Sequence, residues 1–257
     1  MEKQEFIIKT AYKAGDILRQ NFGRTLKSKT KSVKGDIVTE IDLISEAYII
    51  LQITKKFPDH NILSEEKGTK NNKSDYTWII DPLDGTRNYS LGIPMFGVTI
   101  ALAYKKEIVL GVIFDPIHDE LFFAEKNKGA YLNGNKIRVN REKEIEDMVY
   151  GIGGPRQRIN IAKYSKWMKE LAMHSTYIRT VGSAVQELSM VGMGRSEVSI
   201  LGGCWPWDVA AGGLLIQEAG GKITKIDGKK WDPLLDNQEI LATNGKVHNK
   251  ILKITNK

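Results

Sequence analysis

Between Tyr76 and Asn140 short apolar runs alternate with turn residues at the spacing of strands rather than of helices. Thr77 to Ile80, Met95 to Tyr104, Ile108 to Phe114 and Leu121 to Ala124 are predicted strands, and Asn133-Gly134-Asn135 predicts a hairpin turn. The section reads as an antiparallel meander. Ahead of it, Phe6, Ile7, Ala11, Ala14, Ile17 and Leu18 recur at helical spacing between Glu2 and Phe22, with Gly23 as the stop. A second helix is expected to start near Thr39, whose side chain can cap it with Asp42 three residues on. It carries Ile44, Tyr48 and Leu51 on one face and ends before Pro58. Beyond the charged stretch Arg141 to Asp147, helix and strand patterns alternate. A helix near Ile159 to His174, a strand near Thr176 to Thr180 and a helix from Ser183 precede a strand near Glu197 to Leu201. A last helix from Asp208 to Glu218 is closed by Gly220-Gly221. The pattern predicts two lobes joined near residue 145.

Composition narrows the function classes. With 257 residues, 41% of them hydrophobic, the chain is long enough for one large domain or two smaller ones. No apolar run reaches the length of a membrane span, and the amphipathic start with Glu2 and Glu5 is unlike a signal peptide, so the cytoplasm is the expected location. The single cysteine, Cys204, excludes an intramolecular disulfide and a cysteine-based zinc site. His60, His118, His174 and His248 make no metal-spaced pair. The net charge of +7 comes from dispersed lysines with no aromatic interleaving, which favours a solvated basic surface and a field attractive to a phosphorylated metabolite over nucleic-acid recognition. Gly151-Ile152-Gly153-Gly154-Pro155-Arg156 lacks the Gly-Lys-Ser/Thr end of a phosphate loop and reads as a glycine-rich strand or turn.

The chemistry begins where Trp78-Ile79-Ile80 runs into Asp81-Pro82-Leu83-Asp84-Gly85-Thr86. Pro82 fixes its own backbone and Gly85 permits a tight bend, so both acids can converge beyond the strand. Carboxylates with a backbone carbonyl such as that of Leu83 suit a hard divalent cation. The same residues also make an ordinary Asx-turn pair, and the turn alone does not decide between the two. Ser64-Glu65-Glu66 reads equally as a solvated acidic loop, Asp208 as a helix cap, and Thr39 to Asp42, in the run from Gly35-Asp36, as a capping box.

Taken in order, these segments resemble the inositol monophosphatase family of lithium-sensitive, magnesium-dependent phosphatases, which includes related fructose 1,6-bisphosphatases. The resemblance rests on Trp78 to Tyr89 and on Trp207-Asp208-Val209-Ala210-Ala211-Gly212 leading to Glu218-Ala219-Gly220-Gly221. Gly111 to Pro116, Asp119 to Phe122 and Gly129 to Gly134 lie between them. It implies an α+β and α/β fold, a layered α-β-α-β-α sandwich with an N-terminal lobe over residues 1–145 and a C-terminal lobe over 146–257. It implies that Glu65, Asp81, the carbonyl of Leu83, Asp84 and Asp208 bind two or three Mg2+ ions, for which Mn2+ can substitute. Glu65, Thr86 and Asp42 would position or activate the attacking water. Asp84, Gly85, Thr86, Gly182, Ser183, Ala184, Asp208 and Arg179 would contact substrate, the Gly85 and Thr86 amides at a helix start facing the phosphate. The implied activity is hydrolysis of a small phosphorylated sugar or polyol by an enzyme that is commonly a homodimer.

The chain departs from the family's inositol-selective members at Leu201, where they usually carry a glutamate that holds ring hydroxyls. Leucine accepts no hydrogen bond, which weakens the inositol assignment. Arg87 and Arg179 could serve a second anionic group, such as the other phosphate of fructose 1,6-bisphosphate, or could be surface arginines. Histidinol phosphate, a phosphoadenosine nucleotide, and a regulatory RNA- or protein-binding role on the same scaffold are the alternatives.

Overall fold

The computed structural model describes residues 2–24, 28–30, 37–153 and 161–256, the side chains of 28–30 and 37 excepted. Gly35-Asp36, Gly154-Pro155-Arg156 and the expected helix start at Ile159 lie outside the described residues.

Helix α1 (Glu2–Asn21) buries Ile7, Ala11, Ala14 and Leu18, the stripe its spacing predicts, and Gly23 beyond it has φ +79°. The short strands β1 (Ser28–Thr30) and β2 (Ile37–Thr39) pair with each other. Helix α2 (Glu40–Lys56) begins at a capping box: Asp42 Oδ2 accepts the Thr39 amide at 2.9 Å, and Thr39 Oγ1 accepts the Ile41 amide at 3.2 Å. The capping residues are as expected, but of the expected face only Tyr48 packs against the core. Ile44 and Leu51 are about half exposed, at 51% and 50%, and the buried stripe is Ile41, Asp42, Ser45, Glu46, Ile49 and Ile53. The N-terminal half of α2 packs on polar groups, so its inward face is polar and part of its apolar face looks outward.

The meander is real and larger than expected. Strands β3 (Asn61–Ser64), β4 (Gly68–Lys70), β5 (Tyr76–Asp84), β6 (Gly97–Tyr104), β7 (Glu107–Asp115), β8 (Glu120–Glu125), β9 (Gly129–Leu132) and β10 (Asn135–Ile137) form one sheet in the order β10-β9-β8-β7-β6-β5-β3-β4. All neighbours are antiparallel except β3 and β5. A second sheet, β12-β11-β13-β15-β14, comprises β11 (Tyr150–Ile152), β12 (Ile178–Arg179), β13 (Val198–Cys204), β14 (Lys222–Lys225) and β15 (Gln238–Thr243). Here β11 runs parallel to β12 and β13. The glycine-rich run at 151–153 is thus a strand end.

Five layers pack through three apolar cores, the central one spanning both faces of its helix layer. Helices α1 and α2 cover one face of the eight-stranded sheet through Ile7, Leu18, Ile49, Trp78 and Phe114. Helices α5 (Ala184–Gly192) and α6 (Pro206–Glu218) lie between the sheets, in a core with Ile79, Leu188, Val209 and Ile240. Helices α4 (Ile161–Ala172) and α7 (His248–Thr255) cover the outer face of the second sheet through Trp167, Leu241 and Ile251. Trp78 and Ile80 face one core and Ile79 the next, which is why β5 reads as a continuous apolar run: it is buried on both faces. The same burial makes α6 apolar all round. Its small residues permit close approach, since a side chain at Gly111 would begin 3.0 Å from Ala211 Cα. Position 145 falls between β10 and β11, and the central core draws residues from both sides of it.

Candidate metal centre

Residues three apart in a regular strand point to opposite faces. Asp81 and Asp84 escape this rule because β5 bulges: Asp81 pairs with Thr99 and Asp84 with Gly97, three steps on β5 against two on β6. The extra residue brings both carboxylates to one side. Pro82 sits within the bulge, where a missing N–H costs no ladder bond, and Ser45 Oγ of α2 donates to its carbonyl at 2.9 Å. Leu83 N donates to Asp81 Oδ1 at 3.0 Å, so the Asx turn is present within the acid site rather than instead of it. At Gly85 the backbone has φ +80°, and a Cβ there would lie 2.8 Å from the Met95 carbonyl, so only glycine fits.

Asp208 comes from the helix that follows β13 of the other sheet. It lies in the first turn of α6, after a register shift in β13 between Leu201 and Cys204, and its Oδ2 accepts the Trp205 amide at 2.7 Å. A carboxylate has two oxygens, so capping and ligation are compatible. Asp81, Asp84 and Asp208 are all buried, and each presents a ligand atom within 4.8 Å of the others. Burial raises the Asp81 pKa well above the usual carboxylate range, and the charges of Glu65, Asp84 and Asp208 push it further. Glu65 also hydrogen-bonds to Asp81. So many acids in one buried space require protons or a cation, and an oxygen-only set fits a hard divalent ion.

Glu65 follows β3, its amide donating to the Ile80 carbonyl at 3.2 Å. Thr86 opens the short helix α3 (Thr86–Ser90), and its hydroxyl lies 2.9 Å from both Asp42 Oδ1 and the Leu83 carbonyl. One hydroxyl proton cannot serve two acceptors, so both contacts are satisfied together only when Asp42 carries a proton. Asp42 is buried, which raises its pKa to about 6 against the lowering effect of its bonds to Thr39 and Thr86. The four expected positions Asp42, Glu65, Asp81 and Thr86 therefore meet.

Ser183 and Ala184 also reach this cluster, through Asp84. Ser183 Oγ donates to Asp84 Oδ2, and the Ala184 and Val185 amides lie 3.3 and 3.2 Å from its two oxygens, so the start of α5 grips that carboxylate. Gly182, with φ +75°, precedes them, its neighbour Val181 held by Asn88 Nδ2 at 2.9 Å. Arg179 is exposed and donates to the Ile178 carbonyl at 3.1 Å. Leu201 is buried in the central core. Sequence reasoning missed Ser45, Glu46 and Glu187. The first two could have been found as polar residues one turn beyond Asp42 on a single helical face.

The chain is similar to known proteins along nearly its whole length. The profile of the inositol monophosphatase family matches residues 2–257. A fructose-1,6-bisphosphatase/inositol-1-monophosphatase of Thermotoga maritima is 35% identical over 256 residues, covering 100% of this chain and 96% of that one. Nus factor SuhB of Haemophilus influenzae is 38% identical over 250 residues, covering 95% and 92%. The crystal structure of the extragenic suppressor protein suhB from Bartonella henselae superposes with a TM-score of 0.94 at 32% identity, covering 100% of this chain and 99% of that one. With a family profile matched over residues 2–257 and relatives 35% and 38% identical along nearly the whole chain, this chain belongs to the inositol monophosphatase family.

Proposed function

We propose that this phosphoric monoester hydrolase uses Mg2+ held by Glu65, Asp81, Asp84, Asp208 and the Leu83 carbonyl to hydrolyse the phosphate ester of a small sugar or polyol. The convergence of buried Asp81, Asp84 and Asp208 oxygens within 4.8 Å carries the reading. Divalent ions bound there would supply charge neutralisation of the phosphate oxygens and a lowered pKa for a bound water. Glu65 and Thr86 are the residues proposed to orient that water. Asp42, joined to the Thr86 hydroxyl at 2.9 Å, can take or return a proton through it. No side chain need form a covalent bond to phosphorus.

At the leaving-group end, Gly182, Ser183, Ala184 and Arg179 are the proposed substrate contacts, with the Gly85 and Thr86 amides toward the phosphate. Leu201 lies in the core and offers no acceptor to a ring hydroxyl. This favours a site that accepts both inositol monophosphate and fructose 1,6-bisphosphate over one tuned to inositol. Phosphate release from a panel of these esters with Mg2+, with Mn2+ and with added Li+ tests the reading. Absence of release from all of them would sink it.

A second reading is a regulatory role on the same scaffold, favoured by the name Nus factor SuhB borne by a relative 38% identical and by the net charge of +7. Salt-dependent RNA binding that survives Asp84→Asn would support it, and no binding at low salt would remove it.

A further inference from the structure

Helix α2 turns three polar side chains inward over a single turn, Asp42, Ser45 and Glu46, and all three are fully buried. Each grips a different part of the acid site. Asp42 meets the Thr86 hydroxyl, and Ser45 holds the Pro82 carbonyl within the β5 bulge. Glu46 reaches further. Its Oε1 accepts the Ser64 hydroxyl and the amides of Glu66 and Lys67, the last two at 3.0 Å each.

Those donors bracket Glu65 on both sides. The Glu65 amide is itself tied to the Ile80 carbonyl, so the segment is fixed by the Ser64 hydroxyl and by the main-chain amides of Glu65, Glu66 and Lys67 in succession. The Glu65 side chain reaches inward and meets Asp81. An apolar residue at 46 would fill the same volume and leave the three donors without this acceptor. Glu46 Oε2, by contrast, has no hydrogen-bond partner among the described residues. A carboxyl buried at zero exposure, with one oxygen saturated and the other unpaired, is a costly way to fill space, and the saturated oxygen shows what the group does.

We propose that Glu46 is a positioning residue of the metal centre, holding the main chain on both sides of Glu65 so that the Glu65 carboxylate arrives beside Asp81. The proposal rests on the metal-centre reading given above. It predicts that retracting the Glu46 carboxyl weakens metal binding by loosening the loop that carries Glu65, although Glu46 itself does not touch the metal.

Three variants test this: Glu46→Asp, which withdraws the acceptor by one methylene, Glu46→Gln, which keeps an oxygen at the same reach, and Ser64→Ala, which removes one donor. Amide exchange at Glu66 and Lys67 is followed by NMR, and Mn2+ affinity of the full chain by calorimetry. Glu46→Asp is expected to speed exchange at both amides and to weaken Mn2+ binding by about tenfold or more, the usual cost of disturbing a group behind a metal ligand. Glu46→Gln should restore most of both, and Ser64→Ala should weaken binding by about two- to tenfold, as one hydrogen bond allows. Unchanged Mn2+ affinity in Glu46→Asp, with only a lower melting temperature, overturns the proposal. If that variant does not fold, Ser64→Ala decides, and unchanged affinity there overturns it equally. Failure of the unsubstituted chain to bind Mn2+ would instead defeat the metal-centre reading, and the Glu46 proposal with it.

Discussion

Neutralising Asp81 separates stability from catalysis. Its carboxyl is buried beside Glu65, Asp84 and Asp208, and all of these disfavour its charge. Asp81→Asn should therefore raise the melting temperature of chelator-treated protein while reducing phosphate release below roughly one hundredth, since disturbing even groups behind a metal ligand costs 10- to 100-fold. Calorimetric scans with and without chelator, beside the phosphate assay, check both halves. Glu187 makes a second case. Burial raises its pKa from 4.5 to about 8, with the Asp84 charge adding to the shift and bonds from the Val181 and Gly182 amides and Ser199 opposing it. A folded pKa above the unfolded one favours the protonated form, so this contribution is complete below about pH 4.5 and is lost as pH rises through about 8. Glu187→Gln should flatten that part of the stability profile, measured as the urea midpoint between pH 5 and pH 9 in the wild type and the variant. Neither group's environment is legible in the sequence. The local turn around Asp81 and Asp84 is, because proline and glycine constrain it within six residues, whereas Glu187, on helix α5, depends on Gly151 of β11, where a Cβ would lie 3.3 Å from its Oε2.

At the scale of elements, α2 shows where periodicity misleads. Its cap at Thr39 and its end before Pro58 are local properties and were readable. Its orientation was not, because apolar spacing selects Ile44, Tyr48 and Leu51 while the acid site demands Asp42, Ser45 and Glu46 inward. Polar substitution at Ile44 should accordingly change stability by less than about 0.5 kcal/mol, against about 2–5 kcal/mol for Ile49→Ala, whose side chain is fully buried. Urea denaturation of the two variants distinguishes the observed face from the expected one. Strands β3, β4, β14 and β15 and helix α7 escaped the sequence reading for a related reason. They are short, and β14 and β15 are placed by pairing with each other and with β13 rather than by strong local signals. Helix α6 was legible because its burial on all sides leaves an unbroken apolar run after Asp208.

For the whole molecule, the acid triad is a joint between two sheets. Asp81 and Asp84 belong to the eight-stranded sheet, and Asp208 to the helix that follows β13 of the other. A cation bound by all three should stabilise the folded chain by about 2.7 kcal/mol at a concentration one hundred times its dissociation constant. Asp208→Asn should lose most of that gain, seen as a collapse of the Mg2+-dependent shift in melting temperature. The same connection explains why the layered fold was reachable only through resemblance. Strand texture announced a meander, but its sandwiching between helices and a second sheet depends on contacts spread along the chain.

The β5 bulge makes the site a matter of parity. Asp81 and Asp84 face the same way because one surplus residue cancels the alternation of the strand. Deleting a single residue between them would restore a regular ladder with the two acids two apart, still on one face but without the turn that lets Leu83 expose its carbonyl to Thr86. Inserting one would separate them by four, and with the one-residue bulge kept their partners on β6 would be three apart, which puts the two acids on opposite faces. Chemically conservative replacements at 82 or 83 should thus be tolerated better than any change in their number. In this family member, the spacing of the motif is inherited as a count of residues as much as a choice of them.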